Sequence, residues 1–279
     1  MKNLTYPITA LFVVLSTQTF SQEVKAASTS NQYTQQIVDL SSQSTCAKYS
    51  WKKRGRAPAG YVKGVALTFA RSLCRTRNDQ NPAAAKILSA ASSGSTSRDA
   101  LAHYKSIFSN LGINVKSSGD EAVRAIYTLG FGLGMRESSG KYCEGWDKSA
   151  GSRRSSAEAE AGIFQVSYDS MGASTELRRL YNEYKASPQR CGLTIFKEGV
   201  TCKSQSILGS GAGAEYQKFN KACPAFATEY AMTMLRLRRS HFGPINRKEA
   251  EAIPACNSLL KKVEQIVDAN PEAVCAEIY

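Results

Sequence analysis

The chain has 279 residues, 42% of them hydrophobic, and a formal net charge of +13. That length and apolar content can bury a sizeable core, as one large domain or two small ones, and so basic a surface steers toward polyanions. Two isolated histidines, His103 and His241, and eight cysteines without a Cys-x-x-Cys pair exclude a zinc centre and leave a histidine- or metal-dependent nuclease without its groups.

Residues 1–26 read as a signal peptide. Lys2 gives a positive start, residues 8–15 are a short apolar run, and Val24-Lys25-Ala26 resembles a cleavage site. The run is too short to span a bilayer, and no other segment is long and apolar enough to do so. Losing Lys2, Glu23 and Lys25 lowers the net charge by one. Export fits the even count of cysteines at 46, 74, 143, 191, 202, 223, 256 and 275, which implies up to four disulfides. Their destination is then oxidising, the periplasm or outside the cell. Cys191 and Cys202 flank a short loop and are expected to pair locally. A bridge from Cys143 is expected to hold its loop against the scaffold.

Residues 32–46 are polar and rich in Ser, Thr and Gln, an arm or a short helix. Residues 48–60 are basic with Gly and Pro and read as a loop. Residues 61–77 carry Val65, Phe69 and Leu73 at helical spacing. A second short helix covers 82–91, with Pro82 at a favourable start, and 92–96 break it. A third covers 99–111 and ends at Gly112. None of these shows chemistry. They read as an N-terminal helical extension over residues 27–112, packed on a larger domain at 113–279.

The next helix opens with Ser118-Gly119-Asp120-Glu121, a capping-box pattern. Ala122, Ile126, Leu129 and Leu133 then share one face, widened by Val123 and Tyr127. Gly130, Gly132 and Gly134 each cost about 1 kcal/mol against Ala in a helix, which implies another backbone lying close. A phosphate-cradling loop is the poorer reading of Gly130-Phe131-Gly132-Leu133-Gly134, because no strand precedes it and the last spacing is wrong. The helix delivers Glu137 to the edge of a polar loop. A carboxyl partly desolvated there favours its protonated form and can donate to a leaving oxygen. More carboxylates and an aromatic follow in Glu144-Gly145-Trp146-Asp147, and the loop closes on Ala161-Gly162-Ile163-Phe164-Gln165-Val166-Ser167. An acid on one side of a loop and carboxylates on the other suit glycoside cleavage.

Residues 174–186 read as a helix with Leu177, Leu180, Tyr181 and Tyr184 on one side, and 188–213 as loop with a flexible tip at 209–213. Residues 225–240 are a strong helix in which Phe226, Tyr230, Met234 and Leu237 share a face. Asn246 and Glu249 can cap a following helix that Pro254 soon interrupts. Residues 259–267 are apolar at helical spacing and stop at Asn270-Pro271. No strand of convincing alternation and no repeat occurs.

Glu137-Ser138-Ser139-Gly140, Gly145-Trp146-Asp147 and Gly162-Ile163-Phe164-Gln165-Val166 together resemble the goose-type lysozyme and lytic transglycosylase superfamily, over residues 119–168 with a weaker echo near Tyr230. The resemblance implies a mostly α fold, a lysozyme-like helical catalytic domain at 113–279 with the N-terminal helical extension, linked by disulfides. It implies cleavage of the glycan strands of peptidoglycan at the β-1,4 bond. Glu137 stands where the family has its general acid, and Asp147 where goose-type enzymes carry a carboxylate that positions water. Those enzymes often have a second Asp directly after the Gln-Val pair; Ser167 stands there, with Glu144, Glu158, Glu160 and Asp169 as the substitutes at hand. The expected substrate-binding set is Glu144, Trp146 stacking on a sugar, Gln165 lining the cleft, Ser167, and Tyr230 facing the acid from a late helix. Glu144 and Asp147 also suit a cationic, de-N-acetylated sugar.

No metal or organic cofactor is implied. Basic residues at Lys52-Lys53-Arg54, Arg56, Arg153-Arg154, Arg178-Arg179, Arg236 and Arg238-Arg239 are interleaved with apolar ones, which makes most of them solvated helix faces. The expected polyanion is the cell wall rather than nucleic acid, with an inhibitor or immunity protein as a further partner and no membrane contact after leader removal. The alternatives are a lytic transglycosylase giving anhydro products, a non-enzymatic wall-binding protein on a lysozyme scaffold, and a basic nuclease or antimicrobial protein acting through charge.

Overall fold

A computed structural model describes residues 31–146, 155–202 and 205–279, and helices carry nearly all of the regular structure there. The chain runs through α1 (Gln32–Gln43) and α2 (Thr45–Lys48) into a two-stranded antiparallel hairpin, β1 (Ser50–Trp51) and β2 (Gly55–Arg56). Next come α3 (Ala59–Thr76), the short α4 (Ala85–Ser89), α5 (Ala100–His103) and α6 (Lys105–Asn110), and the long α7 (Asp120–Ser138). After the motif loop follow α8 (Thr175–Ala186), α9 (Leu193–Phe196), α10 (Gly211–Ala222) and α11 (Pro224–Leu237). The chain closes with α12 (Gly243–Asn246), α13 (Pro254–Ala269) and α14 (Pro271–Ile278).

α3 and α7 lie side by side, and α11 and α13 each pack on both. Between Ala122 and Met135 every side chain of α7 is buried, and α3 is buried almost all round. A helix without a polar face belongs to an interior. The segment expected as an outer extension therefore supplies one of the two central helices, and residues 33–279 form a single unit around one hydrophobic core.

The close backbone implied by the glycines of α7 is found at Gly132, whereas Gly130 and Gly134 meet side chains, Met232 and Tyr61. A Cβ on Gly132 would lie 2.2 Å from the backbone oxygen of Glu251, and one on Gly134 would lie 2.3 Å from the Tyr61 hydroxyl. Gly132→Ala is expected to destabilise the fold by about 1–3 kcal/mol, because backbone rather than a flexible side chain must give way. That loss exceeds the helix propensity gained. Urea unfolding measures it, and an unchanged midpoint would refute the crowding.

Several boundaries differ from expectation for tertiary reasons. The capping box does not form: the Gly119 N–H donates to the Ser89 carbonyl (2.7 Å), Gly119 takes φ +76° as N-cap, and Glu121 accepts from the Asn114 N–H (3.1 Å). The helix at 99–111 breaks at Tyr104 into α5 and α6, with Asp99 capping through the Leu101 N–H (3.0 Å). The helix at 82–91 shortens to α4, and the basic loop at 48–60 contains the hairpin. Gly211 and Gly213 do not form a loose tip but start α10, with Gly213 pressed on the backbone of Ser156 and Ala157. Pro254 and Pro271 open α13 and α14, the first-turn place where proline costs no hydrogen bond.

All eight cysteines are paired, as Cys46–Cys256, Cys74–Cys275, Cys143–Cys202 and Cys191–Cys223. The expected local Cys191–Cys202 bridge is absent: Cys191 ends a turn beside the start of α11, where Cys223 is the N-cap, and α9 separates it from Cys202. The interior also holds ions. The Arg75 guanidinium on α3 lies 2.8 Å from the Glu229 carboxylate on α11, with both side chains 0% exposed. Glu229 further accepts from Ser72 and Tyr184, each at 2.9 Å. Burial works against the Arg75 charge, but Glu229, Tyr184, Tyr279 and Glu183 together outweigh it, and the guanidinium is held above its ordinary pKa.

Candidate active site

α7 ends in a tight reversal that begins the site. Ser139 takes φ +56° and Gly140 φ +73°, and their N–H groups return to the carbonyls of Met135 and Gly134, both at 3.1 Å. Ser138, one residue earlier, is buried. Its Oγ donates to the Ile163 carbonyl (2.8 Å) and accepts from the Lys141 N–H (3.1 Å). One hydroxyl thus bolts the helix end to the Gly-Ile-Phe-Gln segment.

That segment is itself a closed turn. Ala161 and Val166 pair as an antiparallel bridge, and the Gly162 N–H donates to the Glu144 carbonyl (3.0 Å). Gln165 sits at φ +47°, a left-handed conformation that costs a non-glycine residue about 1 kcal/mol or more. Its side chain offsets this by donating Nε2–H to the carbonyls of Gly162 (2.9 Å) and Gly145 (3.2 Å). Ile163, Phe164 and Val166 are fully buried beneath it. The helix end, the 143–146 loop and the 161–167 turn are therefore one hydrogen-bonded unit.

Glu137 projects from the last turn of α7 and is half-buried. Its surroundings are basic. Arg54 of the β1–β2 hairpin donates to the Arg136 carbonyl, Arg136 pairs with Glu249 (2.8 Å), and Arg247 grips Glu249 with two bonds of 3.0 Å. Hydrogen bonds from Arg247 and Arg136 lower the Glu249 carboxyl to about 2. Arg247 is raised in return, by Glu249 first and by the nearby Glu137 carboxylate as a smaller contribution.

The other expected residues fall in different places. Trp146 and Glu144 are half-buried on the loop. Gln165 is 8% exposed and Ser167 6% exposed, behind the loop rather than open to solvent. Tyr230 is fully buried among Tyr216 and Phe226, with its hydroxyl 2.7 Å from Ser170 Oγ. Burial pushes it up to about 12. It reaches the turn only through Ser170, which donates to the Ser167 carbonyl. Of the substitute carboxylates, Glu158 accepts from the N–H and Oγ of Ser155 at 2.8 and 2.9 Å, Glu160 lies 3.8 Å from His241 Nε2, and Asp169 is exposed. Asp147, the Arg153-Arg154 pair and the leader lie outside the described residues.

Lys221, which the sequence did not single out, is 6% exposed near Glu144. Desolvation lowers its ammonium to about 8, against which the Glu144 carboxylate pulls. Between pH 8 and 10.5 the unfolded chain then holds a proton that the folded chain has released, so this group makes stability rise with pH. The buried tyrosines, raised above 10, reverse that trend only at higher pH. The urea midpoint is expected to climb from pH 7.5 to 9.5, a range set by the Lys221 value of about 8, and Lys221→Met is expected to flatten the climb. A slope unchanged in the variant would assign it elsewhere.

Among the described residues no His, Cys, Asp or Glu cluster could hold a metal ion, and no helix is long and apolar enough to cross a membrane. No protein-family model matches the chain, and no curated protein or solved structure shows significant similarity to it.

Proposed function

We propose that the chain is an exported muramidase that cuts the β-1,4 bond of peptidoglycan, with Glu137 as general acid. The observation that carries this reading is the unit joined by Ser138–Ile163 and Gln165–Gly145, which brings Gly145 and the 162–166 turn to the helix end that bears Glu137. The four disulfides fit the oxidising place in which such a substrate is found.

In the proposed reaction Glu137 gives its proton to the bridging oxygen as the sugar C–O bond breaks. The positive charge that develops on the sugar is stabilised by a nearby carboxylate or by the substrate's own acetamido group. Water adds at that carbon and returns a proton, with Asp147 as the group to position it. A second reading, lytic transglycosylase, is favoured by Ser167 standing buried where a carboxylate is expected. There a sugar hydroxyl attacks in place of water and hands its proton back to Glu137.

Incubating the protein with isolated peptidoglycan and weighing the products separates these. Reducing-end muropeptides are expected. Anhydro ends would keep the acid but move the enzyme to the transglycosylases. No cleavage of native or deacetylated walls would leave a wall-binding protein.

A further inference from the structure

A cavity of about 350 Å³ opens beside the loop that follows Glu137. Its lining includes Tyr142, Leu193, Lys197 and Ile207, with Lys218 and Lys221 of α10. Cys143 and Cys202 are bridged, which ties the chain at Tyr142 to the chain that leads into Ile207. Three ammonium groups thus converge on one space with apolar sides. Two are exposed, and Lys218 pairs with Glu215 at its rim (2.8 Å).

Lys221 differs from them. It is nine-tenths buried, and its Nζ donates to the Ser206 carbonyl (2.9 Å). An ammonium has three N–H donors, and a buried one is costly unless an anion compensates it. Glu144 acts on it only at a distance, too weakly to offset the desolvation. The lining of the cavity therefore includes a buried cation short of an anion, with Tyr142, Leu193 and Ile207 to take aliphatic surface.

We propose that this cavity binds an acidic peptide, a carboxylate of the peptide branch carried by the glycan, with Lys221 as the buried contact and Lys197 at the rim. The identity of that ligand rests on the muramidase reading; the carboxylate site does not. The branch would seat next to the loop bearing Gly145 and Trp146 and fix the glycan's position along it. Apolar walls favour a peptide over the hydrated phosphate of an acidic wall polymer.

Calorimetric titration of the full chain with a synthetic tetrapeptide bearing two free carboxylates tests the site directly. Lys221→Met is expected to weaken binding at least tenfold and Lys197→Ala about threefold, and amidation of the carboxylates to abolish it. Because Lys197 is exposed, its variant keeps the fold whatever Lys221→Met does. No binding of the peptide, or binding that neither variant weakens, would overturn the proposal. So would lysine-dependent binding of inorganic phosphate without binding of the peptide. Cleavage of glycan with and without its peptide branches then separates the two ideas. Lys221→Met is expected to slow cleavage of the branched form alone. If the wild type cuts neither form yet binds the peptide through Lys221, the site stands and the muramidase reading falls.

Discussion

Glu137→Gln is expected to slow glycan cleavage by about 10²–10⁴-fold, the usual contribution of a positioned general acid. The amide matches the carboxyl in shape but has no acidic proton to give. Glu137 is half-buried, and the bonds that close the site belong to its neighbour Ser138. Circular dichroism of the variant is expected to show a folded helical protein while the rate collapses. Retention of the wild-type rate would remove Glu137 from the chemistry. If activity survived the substitution and instead vanished in salt, a charge-driven protein would be the better reading.

Arg236→Met is expected to cost about 3–5 kcal/mol, the usual loss when one partner of a buried ion pair is removed. Arg236, on α11, is 7% exposed, and Asp99 is 0% exposed. The guanidinium meets both Asp99 oxygens, at 3.0 and 3.3 Å. It also donates to the carbonyls of Ile87, Leu88 and Ala91, at 3.1, 3.1 and 3.0 Å. Asp99 in turn accepts from the N–H groups of Ser93 and Leu101. Removing the cation strands a buried carboxylate and three carbonyls at once. Adding Asp99→Asn should restore part of the loss, because the remaining group is then neutral. Urea unfolding of both variants checks this, and a loss under about 1 kcal/mol would mean that the pair is compensated elsewhere.

That arginine marks where the sequence stops being legible. It belongs to a run with Arg238 and Arg239 that has the pattern of a solvated face, and its partner lies 137 residues away. Lys221 is hidden for the same reason: nothing local says that a lysine of α10 is buried. The capping box was a sound local signal that a tertiary bond from Gly119 to Ser89 overrode. By contrast, the helix α8, the stop at Gly112 and the crowding at Gly132 depend on near neighbours or on residue type, and they stand as expected. At the site, the helix end and the Gly-Ile-Phe-Gln turn were legible because their residues announce their own backbone. The routing of Tyr230 into the aromatic core and the basic frame of Arg54, Arg136, Arg247 and Glu249 were not, because they come from elements far apart in the chain.

The disulfides overlap in sequence: Cys46–Cys256 and Cys74–Cys275 enclose the other two, and Cys143–Cys202 interlocks with Cys191–Cys223. At every peptide bond between Cys46 and Cys275 at least one bridge therefore joins the two sides. A protease that nicks the backbone once anywhere in that span releases no fragment. The clipped chain migrates as one molecule until a reductant is added. Losing a piece from within that span takes two cuts, or one cut and a reducing environment.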